Sequence, residues 1–141
     1  QGVDIAMFSA GSDISEKYAK VATKNNAVVI DNTSFFRYED NIPLVVPEVN
    51  SEKISLYKET GIIANPNCST IQMLVALKPI HDICKIKRIN VCTYQAVSGS
   101  GNEAIDELKN QVYAYTRNEI LVNNVYPKQI AFNVIPQPFC F

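Results

Sequence analysis

The sequence is poor in the residues that whole classes of function require. It has one histidine, His81, and four cysteines, Cys68, Cys84, Cys92 and Cys140, among 141 residues. No two cysteines form a CxxC pair and none stands at ligand spacing from the histidine. A zinc cluster is therefore disfavoured and no metal is expected. Nor does the spacing resemble a small disulfide scaffold; reduced thiols of a cytoplasmic enzyme are the better reading, with at least one of them reactive. Charge of neither sign dominates, with 13 Lys+Arg against 14 Asp+Glu. Without a basic excess, a general grip on nucleic acid or on an anionic membrane surface is not expected. No apolar run approaches the roughly 18 residues of a membrane-spanning helix. A charged segment followed by an apolar one, as in a secretory leader, is missing, and so are internal repeats and low-complexity linkers. The chain begins with Gln1 instead of Met, which points to processing or to a stretch of a longer reading frame.

What is present is a hydrophobic fraction of 47%, enough for a core and too high for wholesale disorder. The length suits one ordinary domain, or two half-domains of something larger. The segment Val3 to Phe8 reads as a short, largely buried strand followed by a turn over Ser9 to Ser12. Asp13 to Asn25 carries Ile14, Tyr18, Val21 and Ala22 at helical spacing, with Ser12 or Asp13 placed to cap it. Ala27 to Ile30 is a second buried strand, and strand–helix–strand at this spacing predicts a parallel unit. A Pro-punctuated stretch contains Leu44 to Pro47, and Ser51 to Tyr57 suits a short helix. Gly61 to Ala64 reads as a third strand. From Ser69 an apolar helix with Ile71, Leu74, Val75 and Leu77 is expected to stop near Pro79. Lys85 to Gln95 is a long β-prone run that enters the loop Ser98-Gly99-Ser100-Gly101. The helix after it places Ala104, Ile105, Leu108, Val112 and Tyr115 on one face.

Cys68 is the most informative position. It follows a buried strand and opens an apolar helix, with Pro66 fixing the approach. A helix N-terminus offers unpaired N–H groups and partial positive charge, both suited to a thiolate and to an oxyanion formed when it attacks a carbonyl. The other reading of Cys68 is a small buried residue packing the strand–helix junction. Arg37, after Phe35-Phe36, is either an anion clamp or a solvated surface cation. Gln95 either bonds a substrate or satisfies loop backbone. The glycines of the 98–101 loop either admit a phosphate-bearing ligand or make a plain turn. His81 faces helix C-terminal carbonyls more readily than it acts as a base.

Three stretches, "DNTSFFRYEDNIPLVVPEVN", "GIIANPNCSTIQMLVALKPI" and "INVCTYQAVSGSGNEAIDELKNQ", occur in this order. Together they closely resemble aspartate-semialdehyde dehydrogenases of the bacterial type, over nearly the whole chain. The reductases of N-acetyl-glutamyl phosphate are related, but their Gly-Cys-Tyr-Pro-Thr string is replaced here by Asn67-Cys68-Ser69-Thr70. The resemblance implies an α/β fold: the later part of a Rossmann-like parallel nucleotide-binding domain over 1–67, then the early part of an α+β catalytic and dimerisation domain over 68–141, both incomplete. It implies Cys68 as the nucleophile that forms an acyl-thioester, Gln95 as a substrate-holding amide, and Arg37 as the phosphate-binding arginine. Ser34 and Asn67 are its neighbours. Ser98 and Gly99 match a loop that contacts NADP, and Ala10-Gly11 resembles a second turn on the cofactor side. The reaction implied is the reversible, NADP-dependent conversion of aspartyl phosphate to aspartate semialdehyde and phosphate, by a homodimer.

The departures are specific. The family's Gly-rich GxGxxG fingerprint does not occur. Its acid–base histidine and a second substrate arginine are expected past residue 141, and His81 does not match that histidine. The closing string Pro-Gln-Pro-Phe-Cys-Phe also leaves the pattern. The isolated chain is expected to expose sheet edges and an apolar face and to turn over negligibly. The competing readings are a non-enzymatic binding module on a dehydrogenase scaffold and another acyl-phosphate reductase. The joint presence of Cys68, Gln95 and Arg37 argues against the first, and substrate competition separates the second.

Overall fold

In the first of two compact units, Gln1–Asn90, three short strands lie side by side. These are β1 (Ile5–Phe8), β2 (Val28–Asp31) and β3 (Ile62–Ala64), adjacent in that order and all parallel. The computed structural model describes residues 2–136. Helix α1 (Ser12–Lys24) connects β1 to β2, so the expected strand–helix–strand unit is present. Pairing of Ala6 with Val29, and of Val29 with Ile62, puts Ala6, Phe8, Val29, Asp31, Ile62 and Ala64 on one face of the pleat. That face carries the core of Ala19, Val29, Phe36, Ile42, Ile62 and Ala64, with Ala6, Phe8, Ala22 and Phe35 packed against it. The opposite face is largely open. Ile5 is 58% and Met7 81% exposed, so β1 is half-exposed, where a largely buried strand was expected.

The helix α1 also presents a different face from the one its apolar spacing suggested. Ile14, Tyr18 and Val21 are exposed, while Ser15 and Ala19 are completely buried. Small side chains let the helix lie close to the sheet. Ser15 is held there because its hydroxyl donates to Asp31 Oδ1 at 2.6 Å. The same closeness explains Gly61, just before β3. Its φ is +77°, and a Cβ there would come 2.8 Å from Thr23 Cγ2 of α1.

Beyond β2 the chain returns along the outer side of β3. The Val45 N–H donates to the Ala64 carbonyl at 2.9 Å and the Ala64 N–H to the Pro43 carbonyl at 3.0 Å. A short helix, α2 (Pro47–Asn50), starts with proline at its first turn and runs into a 3-10 helix over Ser51–Glu59. After β3 comes α3 (Cys68–Cys84). Pro79 does not stop it. The proline removes one N–H, but the turn around it is bridged by Lys78 and Asp82, an i,i+4 ion pair at 2.6 Å. That lysine, chiefly through its hydrogen bond, holds the Asp82 carboxyl below its ordinary value. The helix ends where Lys85 takes a left-handed φ of 49° and its N–H returns to the His81 carbonyl.

In the second unit, Val91–Phe141, the described residues hold no strand. The β-prone run over 85–95 is irregular chain, with Val91 51% and Tyr94 86% exposed. Strand preference expresses packing on a sheet, and among the described residues this run has no partner strand. Helix α4 (Asn102–Thr116) buries Ala104, as expected, together with Glu107 and Gln111, while Ile105, Leu108 and Val112 are half-buried and Tyr115 is 59% exposed. The two polar residues are buried because they satisfy loop backbone. Glu107 Oε2 accepts from the N–H groups of Asn124 and Val125, and Gln111 Oε1 accepts from those of Ile130 and Ala131, both at 3.0 Å. Gln111 Nε2 donates to the Val122 carbonyl at 2.9 Å. No buried side-chain nitrogen or oxygen among the described residues is left without a hydrogen-bond partner. Cys140 and the divergent string after Pro136 lie outside the described residues.

Candidate functional site

Three parallel strands deliver three loops to one edge of the sheet, the edge where open α/β sheets bind ligands. After β1 comes the turn holding Ala10 and Gly11, after β2 the loop with Ser34 and Arg37, and after β3 the turn with Asn67 and Cys68. The loops are tied together. The Ser12 and Ser34 hydroxyls lie 3.1 Å apart. Asn32 Nδ2 donates to Ser9 Oγ at 3.3 Å, and Asn65 Nδ2 donates to Asn32 Oδ1 at 2.7 Å. Six of the expected site residues therefore share one end of the first unit.

Cys68 is the first residue of α3, and it is exposed and free. Its exposure removes the reading of a small buried residue that packs the junction. Asn67 is the helix N-cap, its Oδ1 accepting from the Ser69 N–H at 2.9 Å. This assigns the amide orientation, and Asn67 Nδ2 points its donors elsewhere. The Cys68 Sγ lies 3.9 Å from the same Oδ1. Pro66, before the cap, is buried and fixes the entry of the chain.

Arg37 is half-buried, not a freely solvated cation. Its Nε donates to the Asn65 carbonyl at 3.0 Å and its Nη2 to the Asn32 carbonyl at 3.1 Å. Among the described residues it forms no ion pair with a carboxylate. One edge of the guanidinium is thus fixed by neutral acceptors, which leave its charge unneutralised.

Beneath the loops lies a fully buried carboxylate that sequence reasoning missed. Asp31, the last residue of β2, takes the Ser15 hydroxyl on Oδ1 and the Thr33 hydroxyl on Oδ2, the latter at 2.8 Å. The Thr33 hydroxyl also accepts the Phe35 N–H at 3.3 Å. This anchors the loop that carries Ser34 and Arg37. The available signal was the string Asp31-Asn32-Thr33-Ser34 directly after a buried strand, a place where polar side chains bond local backbone.

Gln95, Ser98 and Gly99 belong to the second unit. Gln95 is exposed in irregular chain, where a strand end had been expected. Val97–Ser100 is a 3-10 helix, and Gly101 at φ 92° leads from it into α4. Space is open around Gly99, where a Cβ would meet nothing within 4 Å. His81 lies inside α3, not past its end, and is exposed. Cys84 and Cys92 are exposed free thiols. Among the described residues no three His, Cys, Asp or Glu side chains gather as a metal site, and no helix is long and apolar enough to cross a membrane.

A parallel sheet whose loops bring a cysteine at a helix N-terminus and an arginine to one edge has the layout of an α/β dehydrogenase, and family models match the chain. The NAD binding domain of semialdehyde dehydrogenases matches residues 1–57, and their dimerisation domain matches residues 77–138; Cys68 falls between the two. The aspartate-semialdehyde dehydrogenase of Shewanella violacea is 62% identical over 133 residues, 94% of this chain and 39% of that protein. The aspartate-semialdehyde dehydrogenase of Bacillus subtilis is 51% identical over 144 residues, covering 97% of this chain and 41% of its own. The crystal structure of aspartate semialdehyde dehydrogenase II from Vibrio cholerae, complexed with ASA, superposes with a TM-score of 0.89 at 57% identity, covering 96% of this chain and 40% of that one. The chain belongs to the aspartate-semialdehyde dehydrogenase family, with a Rossmann-like first part. It spans about two fifths of the length of these relatives.

Proposed function

We propose that this chain supplies the nucleophile and the phosphate clamp of an NADP-dependent enzyme that reduces aspartyl phosphate to aspartate semialdehyde, reversibly, in amino-acid biosynthesis. The observation that carries the reading is the exposed Cys68 on the capped first turn of α3, on the same sheet edge as Arg37. The Cys68 thiolate attacks the acyl carbon of aspartyl phosphate, the carbon–oxygen bond to phosphate breaks, and a thioester forms on Sγ. N–H groups at the start of α3 face the oxyanion of that step. Arg37 receives the departing phosphate, with Ser34 beside it. Asn67 Nδ2 and Gln95 hold the substrate amide-to-oxygen. The boundary between nucleotide-binding and catalytic roles falls at Cys68, with 1–67 on one side and 68–141 on the other.

The residues fit a dinucleotide on this edge. Gly11, at the N-terminus of α1, has a φ of +104° with no atom within 4 Å of a Cβ position, and such open backbone admits close approach of a phosphate. Ala10 and Gly11 would hold the cofactor, and the resemblance gives Ser98 and Gly99 a cofactor-contacting role as well. When bound, NADPH supplies the hydride that reduces the thioester, after which Cys68 is released as thiolate. The working form is a homodimer, in the cytoplasm.

The test is phosphate-dependent NADP reduction by aspartate semialdehyde, in full-length protein containing this chain. Cys68→Ser should lower kcat by at least about 10³-fold while the fold is retained. A Cys68→Ser protein with near-normal turnover would overturn the reading.

A further inference from the structure

We infer that Asn32 and Asn65 form a positioning pair that aims the guanidinium of Arg37 at its anion. The inference rests on reading Arg37 as the phosphate-binding residue. Asn32 is the first residue past β2, and its N–H continues the ladder to the Phe8 carbonyl at 2.8 Å. Its side chain then spans the sheet edge, donating to Ser9 Oγ after β1 and accepting from Asn65 Nδ2 after β3. Asn65 is fixed in turn, because its N–H donates to the Asp31 carbonyl at 3.1 Å and its Nδ2 also reaches the Pro66 carbonyl at 3.1 Å. The backbone carbonyls of these same two residues hold Arg37.

The guanidinium has two edges that can each make paired bonds. Nε and Nη2 make up the side edge, and both donate to the asparagine carbonyls. Among the described residues the end fork, Nη1 with the second hydrogen of Nη2, has no acceptor, and it matches a tetrahedral oxyanion bidentately. Two carbonyls on separate loops fix one plane for the fork only while the loops keep their spacing. The bond between the Asn32 and Asn65 side chains sets that spacing, at 2.7 Å. Both asparagines lie at the accessible end of the sheet and outside the apolar core. A role confined to stability is therefore a poor account of them. Asn65 also stands three residues before Cys68, so the pair registers the clamp against the nucleophile.

The experiment is a double-mutant cycle on the KM for phosphate, measured in the semialdehyde-oxidising direction with full-length protein. Asn32→Ala and Asn65→Ala should each raise that KM by roughly three- to tenfold, the effect of one lost hydrogen bond. The double variant should cost little more on this KM than either single one, because the Asn32–Asn65 bond is lost in all three. The KM for semialdehyde and the rate of Cys68 alkylation should stay within about twofold of wild type. Additive effects, or a uniform loss in phosphate, semialdehyde and alkylation readouts, would overturn the inference. Arg37→Ala is the control. If it raises the phosphate KM and the asparagine variants do not, the positioning role alone fails. If Arg37→Ala leaves the phosphate KM unchanged, the phosphate reading fails and the inference with it. Should Asn32→Ala not fold, Asn65→Ala carries the same comparison of KM values.

Discussion

The Nε–H of Arg37 donates to the carbonyl of Asn65 at 3.0 Å, joining the loop after β2 to the turn that presents Cys68. The bond matters because it fixes a side chain of one loop to the backbone of the other. It turns a long, flexible cation into a part of the sheet edge. Replacing Arg37 by Lys keeps the charge but loses both the fork and the span between two carbonyls. The phosphate KM should then rise about ten- to a hundredfold, as for a lost charge-assisted bond, with a much smaller change for semialdehyde. Steady-state kinetics with each substrate varied in turn checks this, and equal changes in both would contradict it.

Asn67 has two separable jobs. Its oxygen caps α3 through the Ser69 N–H, and its nitrogen is the donor proposed to hold substrate. Asn67→Ala should lose both, with about 1 kcal/mol of stability gone and activity lowered. Asn67→Ser keeps a capping oxygen and loses the amide donor, so it should melt near wild type yet remain impaired. Thermal melts alongside kinetics separate the two, and a Ser variant with full activity would remove the nitrogen from the site.

Gly11 and Gly61 of the first unit differ in what surrounds them. Both have positive φ, but only Gly61 has a neighbour, Thr23 Cγ2, within 3 Å of a Cβ position. Gly11→Ala should cost about 1–3 kcal/mol through backbone strain alone. Gly61→Ala should cost more, since α1 must also move from the sheet. Denaturant unfolding gives the order, and the reverse order would contradict the packing of α1 described here.

The carboxyl of Glu107 is held below its ordinary value of 4.5, first by the Val125 N–H, against the opposing effect of burial, and further by the N–H groups of Asn124 and Tyr126. A carboxyl with a lowered folded pKa stabilises the fold above its unfolded value and loses that contribution as pH falls through the folded one. The loop over 122–131 should therefore hold at neutral pH and loosen below about 4.5. Amide hydrogen exchange of Asn124, Val125 and Tyr126 reads this directly. In Glu107→Gln the same amides should be less protected at neutral pH and insensitive to acid. Unchanged protection of the wild type down to pH about 3 would contradict the role.

Much of the first unit was legible because it rests on local signals. Short apolar runs ended by Ser, Asn or Gly mark β1, β2 and β3, and Pro66 followed by Cys68 and an apolar run marks the start of α3. What escaped was relational. Ser15 reads as a polar helix residue until Asp31 is known to lie beneath it. Only then does the small face of α1, and not Ile14 and Tyr18, become the buried one. Glu107 and Gln111 escaped for the same reason, since their partners lie beyond the helix in the 122–131 loop. Pro79 misled through a rule that holds for isolated helices, and the Lys78–Asp82 pair beside it bridges that turn. The β-prone run over 85–95 shows the converse, strand propensity without a partner strand. At the site, Cys68 and Arg37 were visible as residue types at turns. The asparagine pair that joins them was not, because it is made of contacts between positions 33 residues apart.

The most direct test is to look for the thioester. Full-length protein mixed with aspartate semialdehyde and NADP in the absence of phosphate is quenched in acid and mapped by mass spectrometry. The account requires an aspartyl group on the peptide holding Cys68, formed with a burst of NADPH of about one per site and discharged when phosphate is added. A burst with no adduct at Cys68, or an adduct on Cys84 or Cys92 instead, would contradict it.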